Sequence, residues 1–408
     1  MISRFYVICA ICKTHHTLRV QIGYGNEQKH RFPCNHCNEP ISFNLFPEKV
    51  EAAGADLTDL LLGADGKTSY QYLSPDFVAD SADAKNPKYF GSFELMGAVM
   101  DTPQAKKALV KLRHVRAPRE DREDWFALSN ALPDWARLQV CWRLERSGKY
   151  FLAAKNLSLL DPEARTSSWL AAVRLGHRLF GANEGLLTEV RKILAQNSSE
   201  AARLMMEYEY NWTSGFTEAE HQVFSEFFKR WDAFSQVYLY VKHNLQMPRD
   251  PAATSVDFEH VRGFYSMAQE FFAKQIGLLT ALNNIKTGRS FDLLNKISLE
   301  KYFNTDNAKR CDNFKDNAIF CRAASEYDSG LRNAEAHNWL KATADTQQLR
   351  YMQGGNGAVV KLRYVDYLQK SMLMFQQICH LMQLESVLKN MALKSASRIL
   401  LKPRPMTI

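Results

Sequence analysis

Two short stretches, Cys9-Ala-Ile-Cys12 and Cys34-Asn-His-Cys37, decide the fold of the first 48 residues. Each Cys-x-x-Cys pair can form a tight turn that directs both sulfurs to one point, and 21 residues separate the two pairs. Four thiolates arranged in this way form a tetrahedral shell that suits Zn²⁺. The sequence therefore predicts one structural zinc ion, held by Cys9, Cys12, Cys34 and Cys37. Because these ligands complete the shell, we expect no catalytic metal.

Strand-like segments follow or precede both pairs, at Phe5–Ile8, Leu18–Ile22 and Ile41–Leu45. They predict a small β-rich zinc ribbon over residues 1–48. A unit of this size cannot be held together by burial alone, so metal binding would supply its folding free energy. Such a ribbon serves either as a contact for nucleic acid or protein or as inert scaffolding, and the sequence favours neither.

The composition is that of a soluble globular protein of two or three domains. The chain has 408 residues, of which 46% are hydrophobic and 24% charged, which excludes disordered and fibrous classes. No apolar run approaches the ~18–20 residues that a membrane helix needs. The apolar N-terminal stretch is interrupted by Cys9 and Cys12, which argues against a signal peptide. We therefore expect a cytoplasmic protein with reduced thiols and no membrane partner.

The pattern beyond the ribbon is mainly helical. Residues 49–92 are acidic and indicate a linker or irregular connector, with one strand candidate at Ser69–Leu73. A helical region follows over residues 93–250, and two prolines near residue 250 mark its end. Residues 251–408 form the last domain. The predicted fold class is mainly α, with an N-terminal zinc ribbon, a helical middle region and a C-terminal helical bundle.

The last domain combines long helices with one hairpin. The spacing of apolar residues predicts helices over Phe258–Ile285, over Leu331 to about Ala344 and from Asp366 to about Ser395. Between the last two, Gln348–Gln353 and Ala358–Arg363 flank a Gly/Asn turn, which is typical of a β-hairpin.

Positive charge points to a polyanionic partner. The net charge is +8, and residues 251–408 carry 21 Lys and Arg against 14 Asp and Glu. A second basic cluster lies in the middle region, where it could follow a phosphate backbone. Its candidate RNA contacts are Lys111, Arg113, Arg116 and Arg119. The alternative is a solvated loop, because Pro118 and neighbouring carboxylates interrupt the cluster.

The sharpest chemical signal is Leu331-Arg-Asn-Ala-Glu-Ala-His-Asn338, at the start of a predicted helix after Gly330. Histidine changes charge near neutral pH and can move protons, whereas arginine keeps its charge and can bind phosphate oxygens through two hydrogen bonds. The candidate catalytic residues are Arg332, Asn333 and His337. The alternative is a structural network in which Glu335 pairs with Arg332.

This motif, R-N-x3-H in a late helix of a helical bundle with a hairpin, resembles the HEPN superfamily (higher eukaryote and prokaryote nucleotide-binding domain). The resemblance covers roughly residues 252–396. It implies a metal-independent endoribonuclease that leaves 2′,3′-cyclic phosphate and 5′-OH ends. It also implies an acidic residue on an upstream helix that engages the arginine, and Glu270, Glu326 and Asp328 are the candidates.

The resemblance further implies a homodimer with a composite active site. Arg332 and His337 are five residues apart, which is ~140° around a helix, so one motif makes only a loose cleft. Two motifs that meet across a two-fold axis would close it. HEPN nucleases with extra domains act in prokaryotic anti-phage (antiviral) defence or as toxins of toxin–antitoxin systems, which implies tRNA or other host or phage RNA as substrate, and a regulatory partner or phage trigger.

A second function class stays open. The chain could be a non-catalytic adaptor, in which the zinc ribbon binds RNA or protein beside an inactive HEPN-like bundle. His337 separates the two classes, because only an enzyme would depend on that side chain.

Overall fold

The structure, a computed structural model, describes residues 2–23, 27–59, 68–86, 88–89, 91–103, 106, 128–160, 167–208, 212, 216–294, 297–304, 307–343, 346–353 and 357–400. The protein is about 56% helical with a few small sheets, as the predicted mainly α class requires. Within these ranges, the helices lack the combination of length and apolar character that a membrane span needs.

The described residues contain twelve strands. They are β1 (Ile2–Cys9), β2 (His15–Gln21), β3 (Gln28–Pro33), β4 (Pro40–Leu45), β5 (Val50–Ala53), β6 (Ala55–Leu57), β7 (Ser69–Leu73), β8 (Ala79–Asp80), β9 (Pro251–Ala252), β10 (Lys341–Thr343), β11 (Gln348–Met352) and β12 (Val359–Arg363).

The same ranges contain fifteen α-helices and two short 3₁₀ segments, Asp83–Lys85 and Asn307–Phe314. The helices are α1 (Gly91–Met100), α2 (Leu128–Arg146), α3 (Tyr150–Leu160), α4 (Ser168–Phe180), α5 (Glu184–Gln196), α6 (Ser198–Glu207), α7 (Phe216–Lys229), α8 (Trp231–His243), α9 (Phe258–Val261), α10 (Phe264–Gln275), α11 (Gly277–Lys286), α12 (Leu299–Phe303), α13 (Ala318–Ala323), α14 (Ser329–Ala336) and α15 (Tyr364–Leu400).

The chain divides into two compact units, and each is built from three separate segments. Unit 1 contains Met1–Asn130, Glu226–Ser266 and Gly330–Leu373, and unit 2 contains Ala131–Ser225, Met267–Ser329 and Met374–Ile408. All twelve described strands lie in unit 1. The units differ from the linear regions 93–250 and 251–408 expected from the sequence, because strands distant in sequence pair with each other, as Ala79 of β8 does with Ala252 of β9.

The N-terminal strands of unit 1 form the predicted ribbon as two small sheets. One has the order β6-β1-β2-β7 and the other β3-β4-β5. Strands β1 and β2 are antiparallel, as are β3, β4 and β5, whereas β7 lies parallel to β2. Alternate residues point to one shared core, because side chains alternate across a strand. That core is Val7, Leu18, Val20, Phe32, Ile41, Phe43, Ala55 and Leu73, together with Cys9 and Cys34.

The segment 49–92, expected as an irregular connector, contributes four strands. Strand β5 extends the sheet of β3 and β4, β6 pairs with β1, and β7 pairs with β2 along the predicted segment Ser69–Leu73. The ribbon sheets therefore continue past residue 48. Strand β3 of the ribbon was also not predicted, because buried Gln28 and His30 alternate there with exposed or half-buried residues and leave no apolar pattern.

The prediction of one unbroken helix over Phe258–Ile285 is wrong, because the chain forms three helices there, α9, α10 and α11. Gly263 separates α9 from α10 with φ of +84°, a left-handed conformation that glycine adopts without steric cost. The apolar spacing continues across this break and so does not reveal it.

The hairpin at the end of unit 1 is confirmed, with β11 and β12 antiparallel and Tyr351 opposite Val360. Strand β10 joins its edge, where Lys341 pairs with Arg350. The helix predicted from Leu331 to about Ala344 is wrong in length, because α14 ends at Ala336. The chain turns there through Asn338, whose φ of +57° a helix cannot continue.

Candidate functional site

The first Cys-x-x-Cys pair lies in the turn between β1 and β2. Lys13 has φ of +57°, and its N–H donates to the carbonyl of Cys9 (3.1 Å). The N–H of Cys9 donates to the carbonyl of Thr14 (3.0 Å). These two bonds fold the segment into a closed knuckle, so that the sulfurs of Cys9 and Cys12 face the same side.

The second pair repeats this geometry between β3 and β4. Asn38 has φ of +62°, and its N–H donates to the carbonyl of Cys34 (2.9 Å). The N–H of Cys34 donates to the carbonyl of Glu39 (2.8 Å). Each knuckle therefore uses a left-handed residue directly after its second cysteine.

The two knuckles bring all four sulfurs together, within 4.8 Å of one another. The sulfurs of Cys9 and Cys37 are 3.7 Å apart, and those of Cys12 and Cys34 are 3.5 Å apart. Zn–S bonds of ~2.3 Å in a tetrahedron place sulfurs ~3.8 Å apart, so the distances fit Zn²⁺. This cluster is the one group of three or more metal-ligating side chains among the described residues.

The thiols of the cluster lie in different environments. Burial raises the pKa of Cys34 to about 12, whereas the side chain of Thr14, as the largest influence, lowers the pKa of Cys12 to about 6. A buried thiol such as Cys34 becomes a thiolate when a metal replaces its proton. The arrangement is compatible with a structural four-cysteine zinc site.

His16 of β2 lies directly behind this cluster. Its side chain is 1% exposed, and Nε2 is 3.3 Å from the sulfur of Cys34. Burial lowers the pKa of His16 to about 4, so the ring is neutral near pH 7. A neutral imidazole protonated on Nε2 would donate a hydrogen bond to the Cys34 thiolate and stabilise its charge.

The R-N-x3-H motif occupies α14 and the turn after it, so it ends a helix instead of starting one. Arg332 and Asn333 are half-buried, and Nη1 of Arg332 donates to Oδ1 of Asn333 (2.7 Å). His337 follows the last residue of the helix and is exposed. The structure thus joins Arg332 with Asn333 and presents His337 to solvent.

The end of α14 fixes the backbone at His337. The N–H of Trp339 donates to the carbonyl of Ala334 (2.8 Å), and the N–H of Asn338 donates to that of Glu335 (3.1 Å). With Asn338 left-handed, these bonds form a Schellman cap. Nη2 of Arg262 also donates to Oδ1 of Asn338 (2.9 Å).

One aromatic ring stacks on His337, and one guanidinium contacts the residue after it. The ring of Trp339 stacks with it at a centroid distance of 4.8 Å and an interplanar angle of 29°. The guanidinium of Arg262 reaches the adjacent Asn338, and it also pairs with Glu259 at 3.2 Å. No local pattern marks Arg262, which lies 76 residues before Asn338. An imidazole, an indole face and a guanidinium therefore lie along one short stretch of surface.

Glu335, in the centre of the motif, stabilises the fold through hydrogen bonds to its carboxylate. Its side chain is buried, Oε1 accepts from the N–H of Gly263 (2.7 Å) and the hydroxyl of Tyr367 (2.5 Å), and Oε2 accepts from the N–H of Ser266 (2.5 Å). Burial raises its pKa. Its oxygens thus cap the first turn of α10.

The candidate acidic partners of Arg332 and the candidate RNA contacts stay predictions. Arg332 belongs to unit 1, whereas Glu270, Glu326 and Asp328 belong to unit 2, and the choice among them stays a prediction. The candidate RNA contacts Lys111, Arg113, Arg116 and Arg119 lie outside the described residues.

A cavity of about 220 Å³ lies in unit 1 beside the second knuckle, lined by residues of β3, α9, β10 and β11. Its charged lining includes Arg31 and Asp257, which pair with each other at 3.0 Å. The backbone of Arg31 also bonds Ser255 and Val256, so this contact anchors the ribbon to the segment before α9.

Comparisons of this chain with protein-family models, with curated proteins and with solved structures yield no significant match.

Proposed function

We propose that this protein is a metal-independent endoribonuclease of the HEPN type, with Arg332, Asn333 and His337 as its catalytic residues. The observation that carries the proposal is the exposed His337 ring, held by the helix cap and Trp339. In this surface setting a histidine can reach a substrate backbone, and histidine is the commonest general acid or base.

The reaction would use the ribose hydroxyl of the substrate as nucleophile. The 2′-OH loses its proton and attacks the adjacent phosphorus, the bond from phosphorus to the 5′-oxygen breaks, and a proton joins that oxygen. The products are a 2′,3′-cyclic phosphate and a 5′-OH. His337 would move one of these protons, and Arg332 would stabilise the negative charge that builds on the phosphate oxygens. Asn333 would hold Arg332 through the hydrogen bond at 2.7 Å.

The remaining parts have supporting roles in this proposal. The zinc site would fold the ribbon and take no step in the reaction. A second copy of the chain would supply the partner motif of a composite site. The setting would be prokaryotic anti-phage defence or a toxin–antitoxin system, with tRNA or another cellular or phage RNA as substrate.

Cleavage of tRNA and total RNA by purified protein, in excess EDTA and with the ends mapped, tests the proposal. We expect cyclic phosphate ends from the wild type, and a loss of about 10²–10⁴-fold in His337→Ala and in Arg332→Ala. His177→Ala is the matched control, because His177 is also an exposed histidine in the last turn of a helix. Zinc content and molecular mass are measured on the same samples.

Two outcomes would overturn the proposal. Cleavage that survives both substitutions would place the activity elsewhere. RNA or protein binding without cleavage, unchanged in His337→Ala but lost when Cys34 is replaced by serine, would identify the adaptor instead.

A further inference from the structure

Helix α3 of unit 2 presents aromatic side chains to solvent. Tyr150 is 69% exposed and Phe151 is 81% exposed, whereas Ala153 and Leu157 face the core. Aromatic side chains gain free energy from burial, so two of them exposed side by side indicate a contact surface. Leu152 and Leu159 are exposed on the same helix.

Three of the exposed residues form one row along the helix. Phe151, Lys155 and Leu159 are spaced by four residues and therefore share a face of the helix. A Schellman turn fixes the entry to α3: Gly148 has φ of +72°, and the N–H of Lys149 donates to the carbonyl of Leu144 (2.8 Å).

Helix α2 extends this surface beside α3. Nη1 of Arg137 donates to the carbonyl of Leu159 (3.3 Å), which joins the two helices at the far end of α3. Arg143 is exposed in the last turn of α2. Two aromatic rings and the cations Lys149 and Lys155 thus lie on α3 or just before it, and Arg143 lies near the end of α2 that leads into it.

The carboxylates of this segment do not neutralise those cations. Residues 131–160 contain two of them, Asp134 and Glu145. Asp134 pairs with Arg178 (2.9 Å), and Glu145 accepts from the N–H and the hydroxyl of Ser168. The segment has five Lys and Arg residues and a net charge of +3.

We infer that this surface, formed by Arg143, Lys149, Tyr150, Phe151 and Lys155, binds single-stranded RNA. Bases stack on the rings of Tyr150 and Phe151, and phosphates lie against the three cations. Aromatic faces beside a cationic track are how proteins hold single strands without reading their sequence. The choice of RNA over DNA rests on the function proposed above.

Charge favours this occupant over a second copy of the chain. A two-fold contact brings a surface against its own copy, so the cations of one copy would be brought near those of the other. Such a contact between like charges is unfavourable. A polyanion instead gains from all three cations and releases counterions when it binds.

Fluorescence anisotropy with a labelled oligouridylate tests the inference, with every protein carrying His337→Ala so that the probe stays intact. We expect Tyr150→Ala/Phe151→Ala to weaken binding by at least about 10-fold, since each ring stacks a base. Lys149→Glu/Lys155→Glu should also weaken it and lower the slope of log affinity against log salt by about 1.4, at ~0.7 per phosphate. Circular dichroism checks that each variant is folded.

Exposed residues elsewhere in unit 2 supply matched controls, namely Met206→Ala and Lys192→Glu. Unchanged binding in both double variants would overturn the inference. A lower molecular mass in Tyr150→Ala/Phe151→Ala, with unchanged RNA binding, would overturn it in favour of a contact between copies. Because binding is read without cleavage, loss of binding in these variants supports the surface even if the wild type cuts no RNA.

Discussion

The His16 side chain supports the metal site from behind the ligands. Its Nε2 atom lies 3.3 Å from the sulfur of Cys34, within the core of the ribbon. Groups that hydrogen bond a metal ligand typically change metal affinity 10–100-fold when they are removed. We expect His16→Ala to release zinc to a chromogenic chelator about 10–100-fold faster than the wild type, and His16→Gln to lie between them.

The neighbouring His15 provides the control, because successive residues of a strand point to opposite faces. His15→Ala should release zinc at the rate of the wild type. Equal release from His16→Ala and the wild type would contradict a role for His16 at the site.

The carboxylate of Glu335 caps the first turn of α10 and accepts a hydrogen bond from the hydroxyl of Tyr367. Glu335→Ala would remove all three hydrogen bonds of the buried carboxylate, and we expect it to lower the free energy of unfolding by about 3 kcal/mol. Urea denaturation measures this loss. Glu259→Ala, at a side chain that is 73% exposed, should change it by less than about 0.5 kcal/mol.

The metal ligands and the catalytic candidates could be picked out from the sequence, but their surroundings could not. The cysteines and the R-N-x3-H residues lie within a few positions of one another, so local spacing marks them. Arg262 and the capping role of Glu335 depend on contacts across 69 to 76 residues. Such contacts form when distant segments of the chain pack together, and the spacing of residues within one segment does not reveal them.

At the level of the elements, the break between α9 and α10 depends on one glycine. Gly263 has φ of +84°, and a Cβ added there would have open space around it. Gly263→Ala therefore isolates the backbone strain, and we expect it to lower the free energy of unfolding by about 1–2 kcal/mol. Thermal or urea unfolding measures the change.

For Gly97, which also belongs to unit 1, we expect alanine to have the opposite effect on stability. It lies inside α1, also with open space around an added Cβ. Gly97→Ala should raise the free energy of unfolding by about 0.5–1 kcal/mol, because alanine favours the helix. Equal effects at the two positions would mean that alanine adopts the left-handed conformation of Gly263 without lowering the free energy of unfolding.

Some elements follow from short-range signals and others do not. The hairpin of β11 and β12 and the capping of α12 by Ser298 could be predicted, because turn and cap residues mark both. Strand β3 could not, since its buried side chains include Gln28 and His30. Its place is decided by the partner strand β4, not by its own composition.

Among the helices of unit 2, Glu220 makes stability depend on pH. The carboxyl group is buried, and this burial, followed by the nearby Glu385, raises its pKa to about 8. In the unfolded chain it would ionise near pH ~4.3. Between these values the folded state holds one more proton, so the free energy of unfolding should fall as pH rises, by up to ~1.4 kcal/mol per pH unit.

Denaturation curves measured from pH 5 to pH 9 check this expectation, with the fall ending above about pH 8. Glu220→Gln should remove this component of the slope. Glu218→Gln, at a side chain that is 58% exposed, should retain it. A wild-type slope preserved in Glu220→Gln would assign the dependence to other groups.

The division of the chain into two units was harder to predict from the sequence than its secondary-structure elements or its site residues. Composition and proline positions suggested consecutive regions, whereas unit 1 gathers its segments from residues 1–130, 226–266 and 330–373. The pairing of β8 with β9 joins residues 79 and 252. No local signal marks such a partner, because both strands are two residues long.

The interleaved segments have a consequence for synthesis on the ribosome. The four cysteines are all made by residue 37, but unit 1 also needs residues up to 373. At about 5–20 residues per second, roughly 20–70 s separate the two events. The nascent ribbon can therefore bind its metal early. The segments that complete unit 1 are added only later, while most of the protein is still being translated. Factors that shield nascent chains would act in this interval.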